Sequence, residues 1–451
     1  MKRRSLANIA FAAAGAIAAL GLALAGGPAK ANPPDQAFGP VTFHQAPTER
    51  RIVVDPQQIR EHPGEPFSVW SGLSTYPVFT PGQRKMIEDA LNSAKGGSKG
   101  GGGKSGTHGG GKGGGGGGGG GGTTTVPYWE HTITSPLDGQ TYTMSMVGPN
   151  PYDSTTWTTS NSTVTYVPII LRVTINGVVY DPTQPACNDT VPVANRFFAS
   201  PLFADATYNS NGTPVTGQFA SAFQQANFWS TVGGSSYGVD LVYSQASPIV
   251  LDVSLNGRNY NLTCSNGKAI NLGAIDINSF DSAIQSVIAQ YSTPNQLPIV
   301  LTYNIVETYN GQCCVLGYHN AIPVTGGVQT YATGAYVDKG IFTNMADVAV
   351  WTHEIGEWLD DPFVQAMVAG GGSDGLTPSW GNIGQVSGCQ NNIEVGDPLT
   401  GTVATIGDPN TGFNYHVQDL AFKDWFYRTP SEGTGGSYSF FGSFTSAAPP
   451  C

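Results

Sequence analysis

The residues best suited to chemistry sit in one short stretch, Trp351-Thr-His-Glu-Ile-Gly-Glu-Trp-Leu-Asp-Asp-Pro362. Its centre reads His353-Glu354-Ile355-Gly356-Glu357. On a helix, His353 and Glu357 stand at i and i+4, so they project from one face a turn apart. One offers an imidazole nitrogen and the other a carboxylate oxygen, a pair that a divalent metal takes up. Glu354 stands beside that pair, placed to take a proton from a water polarised by the metal. The pattern is H-E-x-x-H with glutamate in place of the second histidine. An exposed acidic helix end with a satisfied histidine would read the same over five residues. The neighbours decide between the two. Val348, Ala349, Val350, Ile355, Trp358 and Leu359 are apolar, so the helix is expected to be buried, and buried carboxylates need partners.

The elements that must position these groups follow from local signals. The spacing predicts a helix over 344–361, N-capped by Asn344 or Thr343, with Asp347 in its first turn and Pro362 as its stop. Gly356 costs about 1 kcal/mol in a helix interior relative to Ala, which points to another backbone packed closely there. Upstream, residues 299–306 read as a buried strand. Residues 314–322, carrying Gly317-Tyr318-His319, read as a second, and 328–338 as a third that leads into the helix. Earlier still, residues 163–175 alternate and are rich in Val, Ile and Thr. Asn176-Gly177 marks a hairpin turn, and 178–180 returns. Helical spacing appears at 218–230 (Phe219, Ala222, Phe223, Ala226, Trp229) and at 279–291 (Phe280, Ile284, Val287, Ile288, Tyr291), with strands at 238–243 and 248–255 between them. These aromatic stripes are expected to be core.

The chain as a whole sets the context. Lys2, Arg3 and Arg4 precede an apolar run over 9–25 and then Ala29-Lys30-Ala31, which reads as a secretory signal peptide over residues 1–31. Arg3-Arg4-Ser5-Leu6 partly resembles a twin-arginine signal. No later stretch is long and apolar enough to span a bilayer, so no stable membrane insertion is expected. Residues 32–95 are Pro-rich and polar, a pro-segment or stalk with one short helical stretch at 83–94. Residues 96–122 are almost pure glycine and read as a flexible linker. Gly103-Lys104-Ser105 inside that tract is not a phosphate-binding loop, because no strand precedes it and the pattern's first glycine would fall on Ser98.

The remaining 329 residues, 123–451, carry 24 acidic and seven basic side chains, a balance of −17. So strong an anionic field argues against nucleic acid and anionic membrane surfaces as partners. The length permits one large domain or two lobes. Six cysteines, an even number in an exported chain, point to three disulfides among fifteen pairings. Cys187 with Cys264 is the first expectation. The adjacent Cys313 and Cys314 are expected to bond to Cys389 and Cys451. No CxxC spacing suggests a zinc ribbon, and no Gly-x-Ser-x-Gly elbow supports a serine triad.

Strand, strand, then a helix with H-E-x-x-[HE] resembles the zincin metallopeptidases over roughly residues 299–427. The chain also looks like a secreted bacterial group with H-E-x-x-E, a following Asp-Pro and a later E-[IV]-G-D. More distantly it is similar to the plant EXORDIUM, or phosphate-induced, proteins, which share a Cys-Gly-x-His-like segment upstream. The resemblance implies an α+β fold, with a mixed sheet, an active-site helix and a mostly helical or loop C-terminal part. It also implies a third ligand in Asn392-Ile393-Glu394-Val395-Gly396-Asp397. There Glu394 is the ligand and Asp397 orients His353, or the two exchange roles. His416, in Asn414-Tyr415-His416 ahead of a last helix with Leu420, Ala421 and Trp425, is the candidate for stabilising an oxyanion. His319 is the candidate for lining the substrate cleft.

The expected protein is a secreted hydrolase holding one divalent ion, zinc, on His353, Glu357 and Glu394, with Glu354 as general base and a peptide or protein as substrate. Two anionic ligands make the metal a weaker Lewis acid than two histidines would, and open the site to harder ions such as manganese. The alternative is a non-catalytic extracellular or cell-wall binding protein with a structural or vestigial metal. Association with a cell surface stays open in both.

Overall fold

A computed structural model of the chain describes Ile52–Val53 and residues 125–451, apart from 245–246, 265, 310–311, 326, 343, 365–375 and 382–388. The expected signal peptide, stalk and glycine linker (1–31, 32–95 and 96–122) therefore lie outside the described residues, save for that two-residue strand. All described residues belong to one unit, Pro40–Cys451. No helix among them is long and apolar enough to cross a membrane.

The architecture is α+β. Thr163–Ile175 (β1) is buried throughout residues 166–171, the near-continuous apolar signature of a strand covered on both faces. It ends in the turn at Asn176 and Gly177, both at positive φ, and Val178–Tyr180 folds back on it. Past the six-residue helix Val193–Phe198, the helix Phe219–Asn227 (α1) stops at Phe228, and a separate turn, Trp229–Val232, follows, so the predicted 218–230 helix is broken. Ile249–Leu255 (β2) pairs parallel with β1, and Ile52–Val53 lies parallel on its far side. Ala269–Asp276 (β3) leads into Ile277–Tyr291 (α2), whose first turn is capped by Asp276 accepting from the Ser279 amide at 3.0 Å.

The predicted 299–306 strand is two strands. Gln296–Tyr303 (β4) lies between β1 and the later strand Gly327–Phe342, parallel to both. Ile305–Tyr309 (β5) belongs instead to a second sheet, parallel to β3. The break is Asn304, at φ 50°, whose amide exchanges hydrogen bonds with Asp338: Nδ2 donates to its carboxylate and the Asp338 amide donates back, both at 2.9 Å. The predicted 314–322 strand divides likewise. Gln312–Val315 pairs with β5, and Gly317–Val324 (β6) is antiparallel to Gly327–Phe342 (β7). The main sheet has nine described strands. Its path runs Ile52–Val53, β2, β1, β4, β7, β6, parallel except for the edge strand β6, with Val178–Tyr180 and Met345–Asp347 added antiparallel and Asp240–Tyr243 parallel.

The helix that carries the motif is shorter than predicted. Met345–Asp347 (β8) pairs with β7, and Ala349–Asp360 (α3) begins only after Val348. Asn344 and Asp347 both have positive φ, so neither is helical, and Thr343 lies outside the described residues. The stop is as expected, with Asp361 closing the helix just before Pro362. Every residue of α3 is buried. Trp351, Ile355, Trp358 and Leu359 enter the main core, and Trp358 Nε1 donates to Thr330 Oγ1 of β7 at 3.1 Å. At the far end Asp360 accepts from Gln224 and Asn227 of α1. Burial pushes that carboxyl up to about 7, with the two amides and Lys423 opposing.

The C-terminal part is less helical than expected. Val403–Gly407 (β9) and Asn414–Gln418 (β10) form a hairpin that contains His416, and the last helix, Lys423–Tyr427 (α4), is five residues long and excludes Leu420 and Ala421. Gly356 faces the Leu420 side chain, not a backbone: a Cβ there would come within 2.3 Å of Leu420 Cδ1. Cys187 is bonded to Cys264, as expected. Cys389 is bonded to Cys451, so neither is available to Cys313 or Cys314, and Cys314 is itself in a disulfide. The cause is local. Trp380 bridges both Gln390 and Pro450, which sets the two cysteines side by side.

Candidate metal centre

Helix periodicity places His353 and Glu357 on one face of α3, and the fold closes three other segments around them. His353 Nε2 lies 3.0 Å from Glu357 Oε1 and 3.6 Å from Asp397 Oδ1. These three donor atoms all lie within 4.8 Å of one another, and all three residues are buried. A second set shares Glu357: His319 Nδ1 stands 3.8 Å from both Glu354 Oε2 and Glu357 Oε2.

The segment with Glu394 and Asp397 is not a surface turn. Glu394 is 0% and Asp397 2% exposed. The Val395 carbonyl accepts from the Ala421 amide at 2.8 Å, and the Trp380 indole donates to the Asn392 carbonyl at 3.0 Å. The Gly396 amide donates to Glu357 Oε1 at 3.2 Å. Gly396 has ordinary backbone angles, so its role is space: a Cβ there would meet the His353 ring at 2.6 Å. Gly317 does the same on the other side, where a Cβ would come within 3.0 Å of Glu354 Cγ.

The expected assignments are rearranged. Asp397, not Glu394, joins His353 and Glu357 in the convergent set. Glu394 accepts from Asn392 Nδ2 at 3.0 Å, and the Glu357 charge acts on its carboxyl. The group against His353 Nδ1 is Gln418, whose amide nitrogen lies 2.9 Å from Nδ1 and donates to the Gly396 carbonyl at 2.7 Å. Its backbone amide donates to Thr352 Oγ1, which ties β10 to α3. His319 faces the motif glutamates, consistent with a place in the site. His416 belongs to neither set. Its Nδ1 is 2.6 Å from Asp347 Oδ2, and its backbone amide donates to Asp347 Oδ1 at 2.8 Å, just ahead of α3. The same carboxylate accepts from the Val348 amide.

The electrostatics follow from crowding acids in a dry place. Burial pushes Glu354 up to about 8, with Asp397 adding to the rise and His353 opposing it. Burial also pushes Glu357 well above the carboxylate range, helped by Asp397 and Glu354. Glu394 rises for the same first reason, then by Glu357.

This donor set suits a divalent cation. One imidazole and two carboxylates are the ligand types of a hydrolytic metal, and the buried negative charge calls for positive charge. A further sign is Gln418 Oε1, which is buried with no hydrogen-bond partner beside the His353 ring. As the amide stands, its nitrogen donates to Nδ1 and leaves the ring proton on Nε2, toward Glu357. A cation at Nε2 calls for the other tautomer, with Nδ1–H donating to the Gln418 amide turned to accept through Oε1.

Sequence reasoning missed Gln418, because a glutamine in a strand 65 residues beyond His353 carries no motif signal. Its place in Asn414-Tyr415-His416-Val417-Gln418, alternating with buried Tyr415 and Val417, could have marked it as an inward strand residue.

No protein-family model, curated protein or solved structure matches the chain.

Proposed function

We propose that the protein is a secreted, zincin-like metal-dependent hydrolase, with a peptide or protein as substrate. The observation that carries this reading is the convergence of His353 Nε2, Glu357 Oε1 and Asp397 Oδ1, with Glu354 beside them on the same buried helix. The antiparallel edge strand β6 next to α3 supports it, since an edge strand can pair with an extended substrate. Export is supported by the disulfides.

His353, Glu357 and Asp397 would hold the ion. Zinc fits one nitrogen and two oxygens, and manganese is the harder alternative. When bound, the ion supplies Lewis acidity toward a water and a carbonyl. Glu354 then acts through its own carboxylate: Oε2 takes a proton from the attacking water and returns it to the departing amine. Burial raises the Glu354 carboxyl in the metal-free chain, and a cation beside it would lower it toward the free base this role needs. Gln418 orients the His353 ring, and Gly396 leaves it room.

The second reading, a non-catalytic extracellular protein with a structural ion, is favoured by one observation. His353 and Glu354 are only 8% and 5% exposed, which leaves a substrate little access in this conformation. The experiment that separates them is hydrolysis of a general protein substrate by the metal-loaded wild type and by Glu354→Gln. Hydrolysis that falls by orders of magnitude in the variant, with the metal retained, supports the enzyme. Metal without hydrolysis in the wild type supports the structural ion.

A further inference from the structure

Glu357 presents its two oxygens to two different histidines. Oε1 faces His353 Nε2 at 3.0 Å and accepts from the Gly396 amide. Oε2 faces His319 Nδ1 at 3.8 Å. That nitrogen is also 3.8 Å from Glu354 Oε2. The tautomer of His319 is set from behind. Its Nε2 lies 3.1 Å from the Asp361 carbonyl oxygen, which can only accept, so the ring proton sits on Nε2 and Nδ1 turns a lone pair toward the two carboxylates. Glu354 is held in turn by the backbone amide of His319. Three lone pairs thus converge at a spacing too long for hydrogen bonds. Ligand atoms about 2.0–2.2 Å from one ion, at tetrahedral to trigonal angles, stand roughly 3.3–3.8 Å apart.

Charge leads to the same conclusion. Glu354, Glu357, Glu394 and Asp397 are all at most 5% exposed. When all four are ionised, one divalent ion leaves two negative charges over in a desolvated site and two divalent ions balance them. A carboxylate shared between neighbouring cations is the usual bridge in paired-metal sites.

We propose that Glu357 bridges two divalent-cation sites. The first is formed by His353, Glu357 Oε1 and Asp397. The second is formed by His319 Nδ1, Glu354 Oε2 and Glu357 Oε2. The second site rests on the reading of the first given above. It also adds a control: Glu354 Oε2 cannot both ligate a cation and take up a proton. Filling the second site therefore withdraws the general base, and an excess of metal acts as a brake.

The test is metal stoichiometry of the full chain, measured by native mass spectrometry across a zinc titration. The wild type should take up one ion tightly and a second at higher zinc. His319→Gln, whose amide can still donate to the Asp361 carbonyl, should stop at one ion. Glu354→Gln, which leaves the first set untouched, should also stop at one and serves if the histidine variant does not fold. A wild type that saturates at one ion, or variants that still bind two, overturns the second site alone. A wild type that binds none overturns the metal reading itself.

Discussion

Removing metal should invert the way stability responds to pH. Glu354 is pushed from 4.5 up to about 8, first by burial and then by Asp397. In the metal-free folded chain it keeps its proton through a window in which the unfolded chain has released it. The unfolded state therefore binds fewer protons, and stability falls as pH rises from about 4.5 through 8. At pH 7 the loss from Glu354 alone is about 3 kcal/mol, from the difference in proton binding integrated over that window. Spread over the unfolding entropy of a body of roughly 300 residues, this is a drop of about 5 °C in Tm between pH 4.5 and 7. Glu357 and Glu394 are raised for the same first reason and push in the same direction. Loaded metal reverses the slope at this site, because ligation requires the deprotonated forms, so the ion stabilises most near neutrality and least in acid. Asp360, raised to about 7, belongs to neither ligand set and contributes equally to both forms. Calorimetric melts at pH 5 and 7.5, with and without chelator, isolate the difference. A chelated protein that is at least as stable at pH 7.5 as at pH 5, or a melt that chelator leaves unchanged at both values, refutes the reasoning.

Four further outcomes follow. Gly396→Ala puts a methyl within 2.6 Å of the His353 ring, so metal affinity should fall at least tenfold, read by competition with a chromophoric chelator, and the crowding should also lower the melt of the chelated protein. Gln418→Ala removes the group on His353 Nδ1 and should weaken metal binding by about 10- to 100-fold. Metal uptake by the wild type should also release protons, seen as a buffer-dependent enthalpy in titration calorimetry. Cys451→Ser opens a loop of 62 residues and should cost about 4 kcal/mol of stability, and because Cys389 precedes the Asn392–Asp397 segment it should lower metal affinity too.

The sequence made the local geometry legible and left the long-range geometry hidden. Helix periodicity alone put His353 and Glu357 on one face, and the apolar neighbours correctly implied burial. The β1 strand and its Asn176-Gly177 turn were readable because their signals span a few residues. Asn304 was not readable as a break, since its positive φ depends on Asp338, brought to it by β7. The start of α3 failed similarly: Asn344 and Asp347 look like caps, but pairing with β7 holds Met345–Asp347 in a strand. Asp347 accepts from the Val348 amide while its carboxylate also holds His416, which had been expected in the site. The choice between Glu394 and Asp397 turned on a short buried turn at Asp397–Leu399 that points one acid at His353 and the other behind Glu357. Gln418 was invisible because its role comes from the packing of β10 on α3.

The most direct test of the central claim is the metal content of the purified full chain, by inductively coupled plasma mass spectrometry, for the wild type and His353→Ala side by side. The account predicts at least one tightly held divalent ion per chain in the wild type, and loss of that ion in the variant while the circular dichroism spectrum keeps its α+β form. A wild type that contains no divalent metal after saturation and desalting, or a variant that retains as much metal as the wild type, contradicts it.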